Sequence, residues 1–210
     1  KASFATLELT KTIEKPIDRF KVLVTGKDKA GDFYRKNFAS MFQYCSNRIP
    51  EITDAFYKID DAMKAGFGWE NGPFEIWDAI GVEKGIELMK AEGFQPASWV
   101  TDMLASGNTS FYSVKDGATH FYSITNKKVE KVPGQDAFII LNNIRESKKI
   151  WNNSDAIITD LVDGIINLEF TSKMNSIGAG VLQGINKAID IAEKDYNGLV
   201  IGNQGANFSV

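Results

Sequence analysis

Gly66-Phe67-Gly68-Trp69-Glu70-Asn71-Gly72-Pro73-Phe74-Glu75-Ile76-Trp77-Asp78 decides the reading of the first half, because it gathers three glycines, one proline and four aromatics between two helical patterns. Gly72-Pro73 starts a helix, since the fixed φ of proline suits a first turn whose N–H has no partner to find. Upstream, Tyr34, Phe38, Met41, Phe42, Cys45 and Ile49 recur at steps of three and four from Asp28 onward, the spacing of one buried helical face. Pro50 breaks that helix; Ile52, Phe56, Ile59 and Met63 resume the period, and Gly66 closes it. Downstream, a helix is expected over 82–92, with Val82, Ile86 and Met89 inward and Gly93 as its stop. A short one follows from Ser98, placed as a cap, through Leu104. Residues 1–27 read as a linker into this helical domain, with a strand around Phe4–Leu9 and an apolar stretch from Phe20 to Val24.

After Gly107 the character changes. Phe111–Val114 and His120–Ile124 are strand-like around Asp116-Gly117, a hairpin turn signal. A third strand is expected at Ala137–Leu141. Ala156–Val162 and Ile165–Phe170 flank a second turn at Asp163-Gly164, and Ile166, Leu168 and Phe170 alternate with Asn167 and Glu169. From Gly178 to Asp195, Val181, Leu182, Ile185, Ala188, Ile189 and Ala192 share a helical face, and an apolar strand Leu199–Ile201 follows Asn197-Gly198. The expected class is α+β: a helical domain over 28–107, a β-hairpin linker over 108–153, and a β-β-α-β unit over 154–210.

Composition narrows the partners. With 24 Lys and Arg against 27 Asp and Glu, the formal charge of −3 supplies no basic field for a nucleic acid backbone. Cys45, the one cysteine, has no internal disulfide partner and fits a reducing compartment, so the cytoplasm is the expected location. No apolar run approaches the roughly 20 residues that cross a bilayer, so no membrane partner is expected. The chain starts at Lys1 and stops in a loop just after a strand, and both ends read as cuts.

The residues offer little catalytic chemistry. His120, the only histidine, stands in a hairpin strand with no nucleophile at a recognisable spacing, and a structural role is expected. Cys45 shares a stripe with Met41 and Phe42, where a thiol without a cationic neighbour stays protonated and inert. One histidine and one cysteine far apart make no zinc site, and no metal is expected. Gly178, Gly180 and Gly184 form a loose dinucleotide-loop pattern, but a true fingerprint joins strand directly to helix; small residues packing a helix close to a sheet explain them more simply. Asp60-Asp61 and Glu75 with Asp78 could do acid/base work, yet acids near helix starts more often cap them. Phe67, Trp69, Phe74 and Trp77 are either the aromatic anchors of a helix corner or a surface that packs on another domain.

Ile59-Asp60-Asp61-Ala62-Met63, then Gly66-Phe67-Gly68, Gly72-Pro73-Phe74-Glu75, Trp77-Asp78 and Gly81, resemble the helical C-terminal domain of 3-hydroxyacyl-CoA dehydrogenases over roughly residues 28–95. Ser46-Asn47-Arg48-Ile49-Pro50-Glu51-Ile52 looks like the second copy of that domain found in long fused enzymes. The catalytic copy carries an asparagine near the start of its first helix, where this chain has a position close to Arg35. From about Ser154 the order of hairpin, turn Lys173-Met174-Asn175-Ser176, helix, strand and loop Gly205-Ala206-Asn207-Phe208-Ser209-Val210 is similar to the start of the enoyl-CoA hydratase, or crotonase, family.

The resemblance implies a fragment of a bifunctional β-oxidation enzyme. It implies no catalytic residue here, because the dehydrogenase His and Glu lie in a preceding nucleotide-binding domain and the two hydratase glutamates in a following segment. It implies Lys173 and Met174 near CoA, and Ala206 and Phe208 near the thioester, beside a backbone N–H of an oxyanion hole. It implies no cofactor in this fragment and NAD in the parent enzyme, an acyl-CoA substrate there, packing against the missing dehydrogenase and hydratase domains, and a possible homodimer through an uncovered sheet edge. An interaction module docking a partner through Trp69 and Trp77 is the reading from a different class.

Overall fold

The computed structural model describes residues 3–13 and 15–204. These form two compact units: one contains residues up to 113 together with 120–132, the other 114–119 together with 133 onward. The chain thus mixes α and β structure, with the helices concentrated in the first unit. No helix among the described residues is long and apolar enough to cross a membrane.

In the first unit the helices are α1 (Ala5–Thr10), α2 (Pro16–Thr25), α3 (Lys29–Asn47), α4 (Tyr57–Phe67), α5 (Pro73–Ile80), α6 (Val82–Ala91) and α7 (Ser98–Ala105). The strand expected at Phe4–Leu9 is therefore corrected to a helix, and the apolar stretch 20–24 belongs to a second helix that opens on Pro16. The cause is tertiary. Asp28 caps α3 by accepting the N–H groups of Ala30 and Gly31, and its other oxygen accepts the Thr6 N–H at 2.9 Å, while the Thr6 hydroxyl donates to it at 2.7 Å. The Thr6 N–H foremost, then that of Gly31, hold the Asp28 carboxyl down at about 2. Leu23 and Val24 of α2 are buried, and Phe20 meets Phe38 edge-on.

The stripe along α3 turns Phe38 and Phe42 into the core, with Tyr34, Met41 and Cys45 partly buried against it. Two terminal assignments shift. Gly68, in the left-handed region, rather than Gly66, ends α4, and Ala97 rather than Ser98 is the N-cap of α7. Ile52 falls in a turn before α4 and is 67% exposed, so it leaves the expected stripe. Strands β1 (Tyr112–Lys115), β2 (Ala118–Ser123) and β3 (Lys128–Lys131) follow as a three-stranded sheet in that order. Asp116 and Gly117 both take positive φ, as a tight hairpin turn requires.

The second unit continues with α8 (Leu141–Ile144), β4 (Lys149–Asn152), β5 (Ala156–Asp160), β6 (Ile165–Phe170), α9 (Ala179–Asp195) and β7 (Gly198–Ile201). The sheet order is β4-β5-β6-β7; β5 and β6 are antiparallel, and β6 runs parallel to β7 from Ile165↔Gly198 to Leu168↔Ile201. The strand expected at Ala137–Leu141 is absent: a single 3-10 turn at Gln135–Ala137 precedes α8, and Phe138 and Ile139 stay exposed. Ile158, Ile166 and Leu168 pack with Val181 and Ala188 of α9. Leu182 and Ile189, expected inward, are instead 53% and 42% exposed. Asn167 and Glu169 are buried on the opposite face of β6. There Arg145 forms a two-bond fork to Glu169 at 2.7 and 3.0 Å, which ties the segment after α8 to the sheet.

Candidate functional site

Two places concentrate polar groups. In the helical unit, Asp60 on α4 is fully buried and caps α5 across space: its oxygens accept the N–H groups of Phe74 at 2.9 Å and Glu75 at 3.1 Å, and the Tyr112 hydroxyl at 2.7 Å. Asp78, one turn further along, accepts the N–H groups of Phe111 and Tyr112 at 2.7 and 2.8 Å. Glu75 takes the Gly72 N–H and the Lys64 ammonium. Burial pushes Asp60 and Asp78 each up to about 7, against the pull of those N–H donors. Every oxygen of the Asp60 and Asp78 pair is occupied by a structural donor, so the acids hold a helix start and a strand start, which is the capping role that their positions suggest.

The aromatic block divides. Trp77 is fully buried, stacked on Phe42 at 4.7 Å, and donates from Nε1 to the Val82 carbonyl at 3.0 Å. Phe74 is likewise buried against Phe56 and Phe111. Trp77 therefore cannot dock a partner, which corrects half of the interaction reading; Trp69 and Phe67 remain exposed, at 38% and 76%. Cys45 lines an open groove of about 540 Å³ with Tyr44, Arg48, Ile52, Lys58 and Met63. Burial, reinforced by the nearby Asp60, pushes its thiol up to about 11, which leaves it unreactive. Arg35 donates to the carbonyls of Val24 and Gly26, so the residue standing near the family's asparagine position secures the end of α2. His120 lies half-buried in β2. Among the described residues no three His, Cys, Asp or Glu come together as metal ligands.

The second place is the carboxyl edge of the β6/β7 pair. Because these strands are parallel, the turn after β6 and the loop after β7 leave on the same side, where loops of parallel sheets collect ligands. Lys173 and Met174 lie there in a short 3-10 turn before α9, Lys173 exposed and Met174 56% exposed. Met174 and Asn175 take φ of 57° and 53°, left-handed values that turn the chain sharply. The Ser172 hydroxyl donates to the Ser176 carbonyl at 2.7 Å and closes the turn. Ala206 and Phe208 lie outside the described residues.

The glycine pattern at the start of α9 does not fit a dinucleotide. A Cβ on Gly184 would lie 2.7 Å from that of Ala156, and one on Gly180 would run into the Asp155 carboxylate. These glycines bring the helix down onto the sheet rather than leaving room for a pyrophosphate. Sequence reasoning passed over Asn167, Asn203, Gln204 and the Arg145–Glu169 pair. Polar residues alternating along a strand read as solvent-facing, and no local signal marks them as buried.

A helical unit followed by a sheet whose parallel pair opens a ligand edge is the arrangement on which the comparisons bear. The chain is 38% identical over 205 residues, 97% of its length, to a protein of Bacillus subtilis strain 168 named as a 3-hydroxyacyl-CoA dehydrogenase. It is 25% and 26% identical, over 85% and 89% of its length, to proteins of Rickettsia felis and Rickettsia prowazekii named as fatty acid oxidation complex trifunctional enzymes. It spans about a quarter of each of these relatives, 26%, 22% and 23% in turn. The chain is thus related to one segment of 3-hydroxyacyl-CoA dehydrogenase-type proteins. No family model and no solved structure matches it.

Proposed function

We propose that the chain is the interdomain section of a fused 3-hydroxyacyl-CoA dehydrogenase and enoyl-CoA hydratase of fatty-acid β-oxidation, silent in both reactions by itself. The observation that carries this reading is the alignment of nearly the whole chain with an internal quarter of a dehydrogenase-named relative. The helical unit is a packing platform, in keeping with polar groups that are spent on caps. The β unit is the opening of an acyl-CoA site on the β6/β7 edge: Lys173 and Met174 face the CoA side, and Ala206 and Phe208 the thioester, where backbone N–H groups stabilise charge growing on the carbonyl oxygen. NAD belongs to a part of the parent enzyme outside this chain. The partners are an acyl-CoA and the flanking dehydrogenase and hydratase domains, and the setting is the cytoplasm. The β7 edge, with Val200 and Ile201 46% and 53% exposed, is apolar surface for the hydratase domain to cover. In isolation the same surface favours a homodimer.

The test is intact-mass spectrometry of the source protein beside this chain, with hydratase and NAD-linked dehydrogenase assays on both. A much larger, active parent and a silent chain are expected. A native protein of this length, or turnover of either substrate by the chain, overturns the proposal. The second reading, a partner-docking module, keeps Phe67 and Trp69 as its only exposed residues from the aromatic block.

A further inference from the structure

We infer that Asn203 is a positioning residue for the proposed thioester site, fixing with Asn167 the path on which the chain leaves β7 toward Ala206 and Phe208. The inference rests on the hydratase reading above. The last ladder pair is Leu168↔Ile201, and the Gly202 N–H extends it one step by donating to the Leu168 carbonyl at 3.2 Å. There the backbone ladder stops, and side chains take over. The Asn203 Oδ1 accepts the Phe170 N–H at 2.7 Å, the group that a continuing strand would have taken. The Asn167 amide donates to the Gly202 carbonyl at 3.1 Å, and a Cβ on residue 202 would lie 2.6 Å from the Asn167 Oδ1, so the approach needs glycine. Gln204 accepts the N–H of Asn142 on α8 at 3.2 Å.

Three successive residues are therefore each held by a different partner, at the point where the sheet hands the chain to its loop. Asn167 is itself 2% exposed, and its neighbour Glu169 is locked by Arg145, so the clamp stands on a rigid base. None of these bonds belongs to the apolar core of the unit, which lies on the α9 side of the sheet. That separation makes the arrangement a positioning device: oxyanion donors act only within about 2.7–3.1 Å of the developing charge, and misplacement by ~1 Å costs on the order of 100-fold in rate.

The test uses the longer polypeptide proposed to contain this chain, with a short 2-enoyl-CoA as substrate. Asn203→Ala is expected to lower hydratase kcat by about 100-fold, with KM, melting temperature and the dehydrogenase activity of the same polypeptide unchanged. Asn203→Asp keeps an acceptor for the Phe170 N–H and is expected to recover most of the rate. Should Asn203→Ala lower the melting temperature, the exposed Gln204→Ala carries the same test, with a loss of roughly 10-fold expected. Full activity in Asn203→Ala, equal losses in the alanine and aspartate variants, or a dehydrogenase loss in parallel overturns the inference alone. A wild-type polypeptide without hydratase activity overturns the functional reading, and the inference with it.

Discussion

Replacing Trp77 with alanine, beside the same change at Trp69, separates core from surface in the aromatic block. The Trp77 indole is fully enclosed, stacks on Phe42, meets Phe111 at 5.0 Å and satisfies the Val82 carbonyl. The backbone of Gly85 lies so close to the indole that residue 85 has no room for a Cβ. Truncation empties this volume and strands the carbonyl, a combination that costs about 3–5 kcal/mol. With a urea dependence of about 2 kcal/mol/M, the midpoint should fall by about 2 M. Trp69→Ala, at 38% exposure, should stay within about 0.5 kcal/mol. The assay is urea unfolding followed by tryptophan emission in a Trp151→Phe background, which removes the tryptophan of the second unit. Trp99, buried and bonded to the Ser46 carbonyl at 3.0 Å, then reports the helical unit. Equal midpoints for the two alanine variants would refute the reasoning; partner binding lost on Trp69→Ala with stability intact would revive the docking reading for that residue.

Other consequences are open to measurement. Asp60 and Asp78 bind protons up to about pH 7 when folded but only to about 3.8 when free. Between those values the folded state holds more protons, so the helical unit should lose on the order of a few kcal/mol of stability as pH rises from 4 to 7. Urea midpoints at pH 5 and pH 7.5 check this, and a midpoint that rises with pH would mean that the N–H donors keep both acids ionised. Gly184→Ala, a change that favours an isolated helix by about 1 kcal/mol, should instead destabilise the β unit because the added methyl meets Ala156 at 2.7 Å. A raised thermal midpoint would contradict that packing. Arg145→Ala leaves the buried Glu169 carboxylate unpaired and should cost about 3–5 kcal/mol, read from Trp151 emission; adding Glu169→Gln should recover part of it, and no recovery would argue against the ion pair.

The helical unit was the most legible part, for physical reasons. A stripe at steps of three and four from Tyr34 to Ile49, and a proline after Gly72, state their conformations locally. What the periodicity hides is long-range. Thr6 joins a helix because Asp28 receives it from 22 residues away, and Asp60 caps not its own helix but the one that begins at Pro73. Strands β3 and β4, Lys-Val-Glu-Lys and Lys-Ile-Trp-Asn, are four residues each and carry too little alternation to stand out, whereas the apolar run from Ala137 imitates a strand that does not form. At the candidate site, the turn at Lys173 and Met174 was reached only through resemblance. Its left-handed residues and the Asn167–Asn203 clamp depend on the parallel register of β6 and β7, which no local pattern encodes.

The way the β1–β2 hairpin is shared has a practical consequence for anyone dividing this chain. Residues 114–119, the tip, group with the residues from 133 onward, and the Asn143 amide donates to the Gly117 carbonyl and the Thr119 hydroxyl while Gln135 takes the Thr119 N–H. A β unit produced from residue 154 would lack Arg145 opposite Glu169, and one produced from Pro133 would still lack the tip. Neither piece is a separable cassette, and a deletion mapped by sequence continuity would injure the half that it was meant to spare.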